Sequence, residues 1–139
     1  MPSFVTNTLC LVCLSVLLAA GMVLPLQAGS KLEDGKLSGE EIAALLTDRT
    51  ALGEHRGVPT RQFFAAAGWT DYLAKGTQPD RGRWKVDMEQ GKYCSEWNNS
   101  GKWPCYDIMR EDGTLYWVQG DHYKSPFSMT DGHKMSFAE

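Results

Sequence analysis

The apolar positions fall into three successive patterns. Residues Leu9 to Leu26 are almost continuously apolar. The polar, glycine-containing stretch 29–37 (GSKLEDGKL) follows and reads as a flexible leader. Next, Ile42, Leu45 and Leu46 fall at i, i+3 and i+4, which makes one apolar helical stripe. Ser38 precedes it as an N-cap and Glu41 stands three residues later, the arrangement of a capping box. The helix should end between Thr47 and Thr50. At about ten residues it is marginal in isolation, so it must pack on something.

Beyond Thr50 the helical period disappears. Turn signals such as Gly57-Val58-Pro59, Pro79-Asp80-Arg81-Gly82, Asn98-Asn99-Ser100-Gly101 and Asp112-Gly113 recur, spaced by about ten residues as in an antiparallel meander, sandwich or barrel. The runs between them are rich in aromatic and β-branched residues. In one run Trp84, Val86 and Met88 share a face while Arg83, Lys85 and Asp87 share the other. Leu115-Tyr116-Trp117-Val118 is apolar on both faces and predicts a central strand. Met135 and Phe137 alternate with polar neighbours. Strands are expected over 49–55, 61–66, 69–75, 82–88, 92–97, 102–109 and 114–119, with one or two more up to 137. The fold class is therefore mainly β: a small antiparallel barrel or strongly bent sheet of about 7–8 strands, capped by one short N-terminal helix.

Charge changes the reading of the first segment. Residues 1–28 contain none of the 31 charged residues of the chain. An apolar core followed by small residues, with Leu26-Gln27-Ala28 at the exit, reads as a secretory signal. No Lys or Arg precedes that core, and the rival reading is an uncleaved anchor; about 18 apolar residues are marginal for a span, which needs about 20. The expected organisation is a signal peptide at 1–28, the leader at 29–37 and one domain at 38–139, periplasmic or secreted, with no stable membrane span after cleavage. In an oxidising compartment Cys94 and Cys105 should form a disulfide. If they lie directly opposite each other, Tyr93 faces Tyr106, Ser95 faces Pro104, Glu96 faces Trp103 and Trp97 faces Lys102, around a four-residue loop. Pro104 cannot donate to a ladder, so an edge or bulge is expected there. An eleven-residue separation does not match a redox C-x-x-C pair.

One small domain with two thiols excludes a multidomain enzyme, a cysteine-rich knottin and a tetracysteine zinc site. A net charge of −3 argues against nucleic acid as a partner. No phosphate loop, H-E-x-x-H or G-x-S-x-G motif is present, and no catalytic residue, metal or cofactor is implied. Asp121-His122 and Asp131-Gly132-His133 would form a metal site only if the two loops converged; otherwise they are turn residues. Asp71, Asp87, Glu96 and Asp107 are expected on solvent faces of strands. The aromatics are the most informative side chains. All five Trp and all five Tyr lie in the folded part, where they can fill a core or line a recognition site. Trp84, Trp97, Trp103, Tyr106 and Trp117 are the candidate binding residues. Trp97 and Trp103 flank a polar hairpin tip, and Trp84 and Trp117 would line a barrel cavity.

Leu37-Ser38-Gly39-Glu40-Glu41-Ile42, Gly82-Arg83-Trp84-Lys85-Val86, and Cys94-Ser95-Glu96-Trp97 with Cys105-Tyr106 resemble a group of small exported proteins of Gram-negative bacteria that are domains of unknown function. That resemblance implies periplasmic location and a disulfide. Gly82-Arg83-Trp84 also resembles the G-x-W strand of lipocalin-like barrels, in which it stands near the first strand. The expectation is a non-enzymatic exported domain that binds a partner protein or small apolar ligand through aromatic residues. A lipocalin-like carrier barrel is the alternative, and a small hydrolase or metal-binding protein the second.

Overall fold

Two-residue turns fix several of the strands. Arg56-Gly57 and Asp112-Gly113 hold φ at 51°, 78°, 48° and 80°, the left-handed values that a tight hairpin matching strand twist requires. His55 is thereby paired with Val58 and Glu111 with Thr114. The computed structural model describes residues 34–137; the signal expected at 1–28 and most of the leader lie outside the described residues. The elements are β1 (Gly35–Lys36), α1 (Gly39–Leu46), β2 (Arg49–His55), β3 (Val58–Phe64), β4 (Trp69–Ala74), β5 (Asp80–Asp87), β6 (Lys92–Trp97), β7 (Cys105–Glu111), β8 (Thr114–Gln119) and β9 (Tyr123–Asp131).

Strands β2 to β9 each pair antiparallel with the next, and β9 returns to β2 from Arg49↔Asp131 to Gly53↔Phe127. The result is a closed, eight-stranded up-and-down barrel. Strand β8 is flanked by β7 and β9 as a central strand is, but only one of its two apolar faces is in the core. Leu115 and Trp117 pack against the core, while Tyr116 and Val118 alternate with them on the other side of the strand, Tyr116 beneath the Lys124 ammonium at 4.4 Å. Met88, expected to share the face of Trp84 and Val86, lies past the end of β5 and is exposed.

The helix stops one end of the barrel. Its capping box is formed: the Glu41 N–H donates to Ser38 Oγ at 3.2 Å and the Ser38 N–H donates to Glu41 Oε2 at 2.8 Å. Ile42 and Leu46 are fully buried and pack with Leu37, Phe64, Trp84, Ile108 and Phe127. Phe64 sits at the centre, edge-on to Trp84 and Tyr93 at 5.4 and 5.5 Å. The Trp84 indole N–H donates to the Ala65 carbonyl at 2.8 Å, which satisfies its one polar atom.

Cys94 and Cys105 form the disulfide between directly opposed residues, and Tyr93 opposes Tyr106 as expected. Ser95 also meets Pro104, its N–H donating to the Pro104 carbonyl at 3.1 Å, and regular pairing ends there. The loop runs through 98–104, longer than the four residues expected, and Glu96↔Trp103 and Trp97↔Lys102 do not pair. Pro104 has no N–H to give, and the Gly101 N–H donates instead to Glu96 Oε1 at 2.7 Å. On the other side of Tyr93, β6 and β7 separate, and β1 takes the vacated edge: Gly35 pairs with Arg110, Lys36 with Met109, and the Leu37 N–H donates to the Ile108 carbonyl at 2.9 Å. Residues 35–37 are thus part of the sheet and core, a correction to a leader extending to 37. After β9 the chain crosses the outer wall without forming the strand expected near 137. Its polar groups go to side chains: Thr50 Oγ1 donates to the Gly132 carbonyl at 2.6 Å and accepts from the Lys134 N–H at 3.0 Å.

Candidate functional site

At the end of the barrel away from α1 the interior is not filled. A cavity of about 500 Å³ opens between the β2–β3, β4–β5, β6–β7 and β8–β9 connections. Its position follows from strand parity: side chains two apart on one strand point to the same side, so Tyr93, Ser95 and Trp97 step outward along β6, as do Trp117 and Gln119 along β8. Near the helix those inward positions carry Phe64, Trp84, Ile108 and Phe127, which interlock with the plug. Towards the mouth they carry Gln62, Thr60, Ser95, Gln119 and tyrosines, which leave space between them.

The floor is Tyr93 and Trp117, with ring centroids 5.2 Å apart; Trp117 stacks on Phe127 at 4.1 Å. A hydrogen-bonded chain fixes it. Gln62 Nε2 donates to Tyr93 Oη at 2.7 Å and lies 3.1 Å from Thr70 Oγ1, which donates to the Phe63 carbonyl at 2.7 Å. The Trp97 indole N–H donates to Ser95 Oγ at 3.2 Å. Burial pushes the Tyr93 phenol far up, against the hydrogen bonds from Ser95 and Gln62, so it remains a neutral hydrogen-bonding group.

Three more tyrosines form the upper wall. Tyr72 lies edge-on to Trp97 at 6.0 Å and Tyr106 edge-on to Tyr123 at 5.8 Å, while His55 lies 6.2 Å from Tyr123. The phenols of Tyr72 and Tyr106 are both raised, by burial first and then by the charge of Tyr123. Trp97 reaches its place because Gly82 lies opposite it. A Cβ at Gly82 would stand 2.5 Å from the Glu96 carbonyl oxygen and 2.7 Å from Trp97 Cε3. The acidic residues on the lining are Glu54, on the strand beside Gly53 and His55, and Asp80 at the mouth, with His122 nearby; among the described residues no Lys or Arg lines the cavity.

Of the candidate binding residues, Trp97, Tyr106 and Trp117 line the cavity together. Trp84 lies in the core by the helix. Trp103 lies on the outer wall, with Lys85 Nζ and the Arg83 guanidinium 4.3 and 5.4 Å from its ring. Sequence reasoning missed Gln62, Tyr72, Tyr93 and Tyr123. The signal was available in the alternation Tyr93-x-Ser95-x-Trp97 and Trp117-x-Gln119, where inward positions turn polar towards one end.

The histidines do not converge: His122 is at the mouth, whereas His133 is on the outer wall with Nε2 3.0 Å from Asp71 Oδ2. Among the described residues no group of three or more His, Cys, Asp or Glu side chains is placed to hold a metal, and no helix is long and apolar enough to cross a membrane. The strand carboxylates point outward as expected, yet Asp71 and Glu96 are buried, each beneath a cation from β5. Arg81 grips Asp71 with two donors at 2.7 and 3.0 Å, and Arg83 Nε donates to Glu96 at 2.6 Å. The arrangement offers ring faces, neutral hydrogen-bonding groups and an acidic mouth, which suits binding. The chain matches no protein-family model, and comparison with curated proteins and with solved structures returns no similar chain.

Proposed function

We propose that the chain is an exported binding protein whose barrel carries one small molecule in its open end. The observation that carries this reading is the cavity itself: about 500 Å³, within the range of pockets that enclose a drug-sized ligand, in a barrel of the strand number that can hold one small ligand. Its lining, ring faces with a few hydrogen-bonding groups, is typical of such sites. The charge-free residues 1–28 and the Cys94–Cys105 disulfide support export, as does the resemblance to small exported bacterial proteins. Recognition of a partner protein through exposed tryptophans is less well supported, because Trp97 faces the cavity and the ring of Trp103 is already covered by Lys85 and Arg83.

Nile red, a neutral dye that brightens in apolar surroundings, tests the binding reading. One dye per chain is expected, with quenching of tryptophan fluorescence. Gln119→Trp, which narrows the mouth, should weaken binding at least about tenfold while leaving the fold intact. Absence of binding to the native protein, or equal binding by the variant, overturns the reading. N-terminal sequencing of the mature protein tests export: a start near residue 29 is expected, and an intact Met1 counts against it.

A further inference from the structure

We propose that the cavity selects an organic cation, a quaternary or protonated amine carried on a flat or apolar body; this rests on the reading of the cavity as a small-molecule site. The first ground is the lining. Tyr72 packs on Trp97 and Tyr106 on Tyr123, and all four rings line the one cavity. Aromatic faces carry negative potential, and several together form the cage that holds a desolvated ammonium group.

The second ground is the distribution of the chain's own cations. On the outer wall, aromatic rings have a cation over them: Arg81 over Trp69 at 4.3 Å, Lys85 over Trp103 at 4.3 Å, Lys124 over Tyr116 at 4.4 Å and Arg61 over Phe137 at 5.0 Å. Among the described residues, no cation–π pair involves a ring of the cavity. No described cation of the chain therefore occupies the place that an outside cation would take on the cavity rings. The third ground is the mouth, where Asp80, with Glu54 at the rim, adds negative charge and, among the described residues, no Lys or Arg opposes it. Acidic groups at an entrance attract a cation and repel the carboxylate of a fatty acid. An anion entering the cavity would lose its hydration and meet, among the described lining residues, no guanidinium or ammonium group in exchange.

Three probes of similar shape separate charge from size: benzyltrimethylammonium, its neutral isostere neopentylbenzene, and the anion 4-tert-butylbenzoate. Each competes with Nile red in the same buffer at one fixed pH. The cation is expected to bind at least about tenfold tighter than the neutral isostere, and the anion weakest. Tyr106→Leu and Tyr123→Leu should cut that preference below about threefold, whereas Tyr106→Phe, which keeps the ring, should retain it. If the dye binds but the neutral probe or the anion equals the cation, the charge assignment falls and the binding reading stands. If neither the dye nor any probe binds the folded protein, both fall. A preference unchanged in both leucine variants also overturns the cage.

Discussion

Asp71 shows how one side chain couples three parts of the chain. It points outward from β4, accepts two hydrogen bonds from Arg81 on β5 and meets His133 of the C-terminal segment at 3.0 Å. Its carboxyl is held below the ordinary range by the Arg81 hydrogen bond above all, with burial opposing and His133 assisting. Glu96 and Asp107 are also lowered: burial raises each, but Gly101 and Arg83 outweigh it at Glu96, and Lys36 and Lys92 outweigh it at Asp107. The sign follows from linkage. A group whose folded pKa is depressed contributes stability that is fully present above its unfolded value and is lost as pH falls through its folded value. The urea midpoint should therefore be level from neutral pH to about pH 5 and fall steeply below about pH 4. Asp71→Asn should cost about 1.5 kcal/mol at neutral pH, a value typical of hydrogen bonds to a charged group, and should flatten part of that acid limb. An acid limb identical to that of the unaltered protein would contradict the assignment.

At the scale of elements, the β6–β7 pair is short and covalently tied. Its ladder has two residue pairs before the strands part, so the disulfide bears more of the join than it would in a long hairpin. Replacing both cysteines by serine should lower stability by about 3 kcal/mol, the chain-entropy value for a loop of this size, measured as the shift in urea midpoint. This hairpin was legible in the sequence because Cys94, Cys105 and Pro104 each constrain the ladder. The capping box and β2, β6 and β8 were legible too, since Ser38, Glu41 and the turn dipeptides act locally. Other features depend on residues far away. Gly82 has the chemistry of a turn residue, yet it is in β5 so that Trp97 can lie against it. Pro59 also reads as a turn, but it pairs with Glu54 within β3 and its carbonyl accepts from Lys75. A two-residue strand such as β1 has no period to detect. Alternation along β6 and β8 marks which end is more polar, but which inward positions are filled depends on where α1 docks, and that is a non-local matter.

For the whole molecule, the C-terminal segment and the open end are separable. The segment after β9 runs over the outer wall, where Thr50, Asp71 and Arg61 hold it, and none of its described residues lines the cavity. Ending the chain at Gly132 should lower stability by about 1–2 kcal/mol yet leave dye stoichiometry and affinity unchanged; a loss of binding in the folded truncate would show that the two ends communicate. The pairing of β2 with β9 has a further consequence, for synthesis. Arg49 and Asp131 are 82 residues apart, so at about 5–20 residues per second the ribosome takes roughly 4–16 s to make the second edge after the first. Throughout that interval the growing sheet has two unpaired edges, each able to pair with another chain. Non-local closure of this kind also slows folding. The nascent protein is therefore most prone to aggregation just before its final strand emerges, and crowding or a slow stretch of message between β8 and β9 would lower yield without altering a single contact of the finished barrel.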